Sequence, residues 1–199
     1  MKPLLALFTL AVLAIATPAR AHDRDLETWA LALMVAKSPP SRAATETAYP
    51  GWSETPEQRQ ERYAGIARAA VKVGRDRKTI GMLLALSFHE SGWARDVDLG
   101  PCYRGRDGKG ARCDSGRAAC LMQVRTDVHH RVSAADLFAD REKCFAEGLR
   151  IARGSIAQCS RIGIDHALDA YAGGSCDASE TSTAHRRGLE LLALVRSFQ

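Results

Sequence analysis

The sequence predicts a mainly α-helical domain that carries one long, disulfide-stapled loop. Three observations lead there. Apolar residues recur at the three- and four-residue spacing of amphipathic helices through most of the chain. No stretch reads as a convincing strand, and no internal repeat is present. Between residues 96 and 119 the pattern changes to a run with Gly100, Gly105, Gly108, Gly110, Gly116 and Pro101, in which Cys102 and Cys113 form a natural staple.

A chain of 199 residues suffices for one domain with a sizeable core. Residues 1–21 read separately. Lys2 is a charged n-region, residues 4–17 are apolar, and Ala19-Arg20-Ala21 is a small-x-small cleavage site, so a secretory signal peptide cut after Ala21 is expected, with residues 22–199 as the domain. The alternative is an uncleaved anchor, but the apolar run is short for a span. No second run of spanning length follows, which predicts a periplasmic or secreted product, off the membrane after cleavage, and a monomer. Lys2 and Arg20 are the only charges in the segment, so its removal takes the formal net charge from +5 to +3. That charge suits an anionic wall polymer and is too small and scattered for nucleic acid.

Taken in order, residues 26–37 space Leu26, Trp29, Ala30, Leu33 and Met34 as a helix, ended by Ser38-Pro39-Pro40. Residues 43–53 are loop, with a Pro50-Gly51 turn and Trp52 as a core plug or a sugar platform. Thr55 is an N-cap, Pro56 fits the first helical position and Gln58 completes a capping box, so a second helix starts here and stops at Gly74. Asp76 caps the next helix. Residues 120–124 return to the core. Helices are predicted over 134–152, from 165 to Tyr171 and the Gly173-Gly174 pair, and over 182–198 with Leu189, Leu191, Leu192 and Leu194 inward.

Six cysteines, Cys102, Cys113, Cys120, Cys144, Cys159 and Cys176, suit three disulfides in an exported protein. The sequence leaves the pairing open. The local choice is Cys102 with Cys113, Cys120 with Cys144 and Cys159 with Cys176, each loop being worth on the order of 3 kcal/mol. No Cys-x-x-Cys pair exists and the His129-His130 doublet lacks ligand spacing, so neither a metal nor another cofactor is expected.

The central stretch is Thr-Ile-Gly-Met-Leu-Leu-Ala-Leu-Ser-Phe-His-Glu-Ser-Gly, from Thr79. A helix apolar on nearly all sides belongs in the middle of a domain. It ends in Glu90, with Gly92 as the stop. A carboxylate delivered by such a rod is costly unless paired or used; the alternative is that it simply points to water. His89 reads as an exposed helix residue.

Three segments now fall in order: His89-Glu90-Ser91-Gly92, Cys120-Leu121-Met122-Gln123-Val124 and Ala170-Tyr171-Ala172-Gly173-Gly174. Together they resemble the lysozyme-like catalytic domain of soluble lytic transglycosylases, which carries Glu-Ser after its core helix, then Gly-Leu-Met-Gln, then Ala-Tyr-Asn-Ala-Gly. The likeness spans roughly residues 60–195. Cys120 stands where the family has glycine, Ala172 where it has asparagine, and Gly173 where it has alanine.

The resemblance implies that Glu90 is a lone acid/base. It would protonate the glycosidic oxygen between N-acetylmuramic acid and N-acetylglucosamine in peptidoglycan glycan strands, then deprotonate the muramoyl 6-hydroxyl to close a 1,6-anhydro ring. An acid that must keep its proton near neutral pH is served by desolvation. Met122 and Gln123 would line the cleft, Tyr171 would orient Glu90, and Ser91 would bond locally or touch substrate. The structural alternatives are a core methionine, a surface glutamine, a core tyrosine and a helix-end serine. Goose-type lysozymes are similar too, but place an aspartate directly after Leu-Met-Gln-Val. Here that position is Arg125, and Asp96, Asp98, Asp107, Asp114 and Asp127 remain candidates for a second acid. A hydrolytic lysozyme and a non-catalytic peptidoglycan-binding or envelope-assembly protein stay open as alternatives.

Overall fold

The computed structural model describes residues 18–40, 54–100, 102, 112–176 and 179–199. The bulk of the expected signal segment, the loop with Trp52, and Asp107 with most of the glycine-rich stretch lie outside the described residues.

Helix α1 (Pro18–Lys37) ends just before Ser38. Helix α2 (Pro56–Gly74) begins as expected: Thr55 accepts from the Gln58 backbone, and the Gln58 side chain returns to the Thr55 backbone. It ends at Gly74, as expected, with Arg75 as the left-handed cap, φ 63°. Gly74 also lets the next helix approach, since a Cβ there would press against Ile80.

Helix α3 (Arg77–Ser91) is the centre of the molecule. Asp76 caps it by accepting from Thr79 N–H, and Gly92, φ 57°, ends it in the left-handed conformation. Ile80, Leu83, Leu84 and Leu86 are fully buried, each worth about 1.5–3 kcal/mol of transfer free energy. The core they form draws on every other long helix. It takes in Ala30 and Met34 of α1, Ile66 and Ala70 of α2, and also Phe145 and Leu191.

The chain then folds back under its own helix. Trp93 is buried with φ 52°, its Nε1–H donates to Ser87 Oγ at 2.9 Å, and its ring meets Tyr63, Phe88 and Phe198 at 5.4, 4.8 and 6.2 Å between centroids. The predicted long loop does not start at residue 96, because a short helix α4 (Arg95–Leu99) comes first. Its Asp98 explains this: the carboxylate is wholly buried and takes two bonds from Arg141, at 2.7 and 2.8 Å, and one from Arg62 at 3.4 Å. A buried carboxylate needs such partners, and they hold the turn in place.

Residues 112–116 coil tightly, with Cys113, Asp114 and Ser115 all left-handed. A two-residue antiparallel pair follows, β1 (Ala118–Ala119) with β2 (Val124–Arg125). This is a strand pairing that the sequence reading did not expect, since two residues carry no alternation to detect. The predicted 134–152 helix is two: α5 (Ala134–Ala139) and α6 (Arg141–Cys159). Asp140, extended at φ −141°, ends one and caps the other by accepting from Glu142 and Lys143 N–H. The next predicted helix is likewise split into a 3-10 turn (Ile164–His166) and α7 (Asp169–Gly173), parted at Leu168. Helix α8 (Thr183–Ser197) closes the chain with Leu191, Val195 and Phe198 inward, whereas Leu189 is exposed.

The disulfides are Cys102–Cys113, Cys120–Cys144 and Cys159–Cys176, the local pairing. Among the described residues no helix is long and apolar enough to cross a membrane.

The core helix is pressed so closely against the C-terminal turn that a Cβ on Gly81 would lie 2.5 Å from the Phe198 carbonyl oxygen. Gly81→Ala is therefore expected to destabilise the protein by about 1–3 kcal/mol through overpacking, despite alanine's better helix propensity. Urea unfolding followed by circular dichroism measures it; an unchanged or higher midpoint would contradict this packing.

Candidate active site

Three separate stretches converge on one cleft of about 520 Å³. Glu90 comes from the last turn of α3. Met122, Gln123, Val124 and Arg125 come from the β1–β2 turn and β2. Ala170, Tyr171, Ala172, Gly173 and Gly174 come from α7. Ile151 of α6, Ala118, Val128, His129, Asp114 and Arg187 of α8 complete the lining. The predicted residues Glu90, Met122, Gln123 and Tyr171 are thus brought together. Ser91 is not: its hydroxyl donates to the Ser87 carbonyl at 2.6 Å and accepts from Trp93 N–H at 3.1 Å, tying down the helix end.

Each position has a local cause. Glu90 sits beyond the buried part of α3, its side chain 24% exposed, with His89 Nδ1 at 3.4 Å from Oε1. His89 itself is exposed and stays outside the lining; its hydrogen bond to Glu90 raises its pKa above the ordinary imidazole value. Cys120 stands where the resembled family has glycine, and its backbone is left-handed, φ 58°. The turn it opens closes through Gln123 N–H to the Cys120 carbonyl at 3.0 Å. Its disulfide to Cys144 tethers that turn to α6. Gln123, also left-handed, folds its amide back to the Cys120 carbonyl at 2.9 Å. Met122 is 2% exposed and lies against Gly148, where any Cβ would collide with it.

The third wall is set by α6 and α8. Ser155 on α6 is buried, donates to the Ala167 carbonyl and accepts from Tyr171 N–H, both at 2.9 Å. Gly173 has no room for a side chain because α8 passes too close: a Cβ there would meet Ala184 Cβ at 2.5 Å. The Tyr171 ring is half-buried, but its hydroxyl oxygen is fully buried and has no hydrogen-bond partner. Burial first, and then the nearby charge of Glu90, push its pKa well above the ordinary phenol value.

The acids around the cleft divide sharply. Asp114 is paired with Arg117 at 2.7 Å and with Arg125 at 3.0 Å. Asp127, outside the lining, forms a two-pronged pair with Arg125, and that hydrogen bonding lowers its pKa to about 2. Asp98 belongs to the α4 anchor on another face, and Asp96 is buried beside it. Glu90 has no lysine or arginine partner among the described residues. His129 is lowered in pKa by burial first and then by Arg150, so it favours the neutral form. Arg187 lines the cleft with no ion pair among the described residues.

Sequence reasoning missed Ser155, His129 and Arg187. Ser155 had a readable signal, since it continues the buried stripe of Ala152 and Cys159 as its one polar member. Arg187 had none, because its place depends on how α8 docks. Two smaller grooves, about 390 and 450 Å³, lie along α2 near Arg141 and hold none of the three motifs.

Comparison with protein-family models, curated proteins and solved structures finds no match to this chain.

The buried hydroxyl gives a direct check. In a spectrophotometric titration of the phenolate band, Tyr171 is expected to ionise later than an exposed tyrosine, and Tyr171→Phe is expected to remove the late component. The unfolded chain releases this proton first, so the tyrosine's contribution to stability is present below pH ~10 and lost as pH rises through its folded value. Loss of an early component in Tyr171→Phe would show the hydroxyl to be solvated.

Proposed function

We propose that the chain is a peptidoglycan lytic transglycosylase with a lysozyme-like catalytic domain and Glu90 as its lone acid/base. One observation carries the reading. Of the two acids that line the cleft, Asp114 is claimed by two arginines, while Glu90 has no cationic partner among the described lysines and arginines and shares the cleft with Tyr171, whose hydroxyl is buried without a hydrogen-bond partner among the described residues. A carboxylate engaged by two guanidinium groups has its oxygens occupied as hydrogen-bond acceptors. A carboxyl at the end of an apolar helix, beside a neutral phenol, is suited to give a proton and take it back.

In this reading Glu90 protonates the bridging oxygen between N-acetylmuramic acid and N-acetylglucosamine as the C1–O bond breaks. The oxocarbenium-like centre is then captured by the sugar's own 6-hydroxyl, whose proton returns to Glu90. No water is consumed and Glu90 ends as it began. Met122 and Gln123 form the floor under the sugar, and Tyr171 shares the cleft with Glu90 as the side chain that limits its orientation. Ala172, where the family has asparagine, offers only a methyl group, so recognition shifts to Gln123 and to backbone. The disulfides suit an oxidising compartment, in keeping with export to the periplasm or outside through a signal peptide ending at Ala21.

Hydrolysis is the second reading, and Asp114 on the same cleft is the observation in its favour. Its pairs with Arg117 and Arg125 weigh against a role in activating water, because they commit its lone pairs. The third reading, a non-catalytic wall-binding protein, has no cleft feature of its own.

Digestion of purified sacculi followed by mass spectrometry separates these readings. Anhydro-ended muropeptides are expected from the wild type, none from Glu90→Gln, and undiminished release from Asp114→Asn. Reducing-end products lost in Asp114→Asn would establish hydrolysis, and binding without release would establish a non-catalytic role. Activity retained in Glu90→Gln would remove the assignment altogether.

A further inference from the structure

Behind the Tyr171 wall lies a second cluster of reactive side chains that the cleft chemistry leaves unused. His166 closes the 3-10 turn, Asp169 opens α7, and His185 lies in the first turns of α8. They are 9%, 0% and 5% exposed. His166 Nδ1 lies 2.7 Å and His185 Nδ1 3.3 Å from the same carboxylate oxygen, Asp169 Oδ2. The two imidazoles stack at 4.0 Å between centroids. One ligand atom from each residue falls within 4.8 Å of the others.

We propose that this cluster is a binding site for one divalent transition-metal ion of the zinc class, held by His166, Asp169 and His185. Three features point to a cation and not to a purely hydrogen-bonded knot. First, both ring nitrogens converge on Oδ2, while Oδ1 of the same carboxylate is buried with no hydrogen-bond partner. A buried carboxylate with one oxygen left without a partner among the described residues is costly, and a divalent ion offsets that cost. Second, the donor set is two imidazole nitrogens and one carboxylate oxygen. This mixture suits zinc and its neighbours and is poor for calcium or magnesium. Third, space is kept for the carboxylate by Gly188 of α8, where a Cβ would collide with Oδ1.

Three protein ligands leave a fourth position for water, on the side where the His166 ring is 11% exposed. Ligation through Nδ1 places the remaining ring protons on Nε2 and requires both histidines to be deprotonated, so binding weakens in acid. The ion would join α7 to α8 two residues before Tyr171. The site does not depend on what the cleft does.

Protein produced with its disulfides formed, purified without a polyhistidine tag and stripped with EDTA, is titrated with zinc chloride and, separately, cobalt chloride. One equivalent of zinc per chain is expected, with a melting temperature raised by roughly 5–10 °C at a hundredfold excess over Kd. The cobalt adduct is expected to show intense visible absorption from a low-coordinate nitrogen–oxygen site. Folded His185→Asn is expected to lose both signals. Glu90→Gln and a His129→Ala/His130→Ala double variant are expected to keep them. Absence of stoichiometric zinc binding by the wild type overturns the proposal whatever the variants do. So does binding that survives His185→Asn or disappears with His129 and His130. Because Glu90→Gln is included, failure of the metal site and failure of the cleft assignment give different results.

Discussion

Burial of α3 on every side is the constraint on which the rest of the structure depends. A helix apolar all round has no solvent face, so other helices must surround it, and the closest approaches are bought with small residues at Gly74 and Gly81. Its first turn, with Arg77 and Lys78, and its last turn reach solvent. The chain then reverses at Gly92 and tucks Trp93 back beneath the helix, where the indole N–H finds the buried Ser87 hydroxyl. With Ser91 spent on that reversal, Glu90 is left at the edge of the core with its direction set. Its position is a consequence of packing and not of the loops around the cleft.

Helix α6 organises the opposite side. It carries Cys144, bonded to the hairpin turn at Cys120, and Cys159, bonded to Cys176 beyond α7. Gly148 receives Met122, and Ser155 holds the backbone of Tyr171. Both movable walls are therefore referred to one rigid rod, and the disulfides limit how far either can drift. Cys120 takes a left-handed conformation that glycine would adopt without strain, and its disulfide ties the same residue to α6.

Local rules made much of this legible. The caps at Thr55, Asp76 and Gly92 follow from side-chain chemistry within four residues, and the three cleft segments are short and contiguous. Features that needed the folded chain were not. The extended Asp140 looks like any helical aspartate, and the break at Leu168 leaves the apolar spacing intact. Leu189 matches the inward pattern of its neighbours, yet α8 rolls so that Leu191, Val195 and Phe198 meet the core. The buried Asp98 pairs with arginines 36 and 43 residues away, and His185 reaches Asp169 across 16. Separations of that size carry no local signal.

The distribution of arginine bears on how a single carboxylate could serve. Arg125, directly after Leu121-Met122-Gln123-Val124, binds both Asp114 and Asp127. One cation thereby pairs with an acid of the cleft lining and with a second acid outside it. Arg62 and Arg141 do the same for Asp98, and Arg150 for Glu147. Each of these carboxylates is held by a cation, whereas Glu90 has no lysine or arginine partner among the described residues. On the proposed reading, selectivity for ring closure over hydrolysis needs no dedicated device for excluding water. It follows from Glu90 being the acid of the cleft lining that no arginine or lysine claims among the described residues.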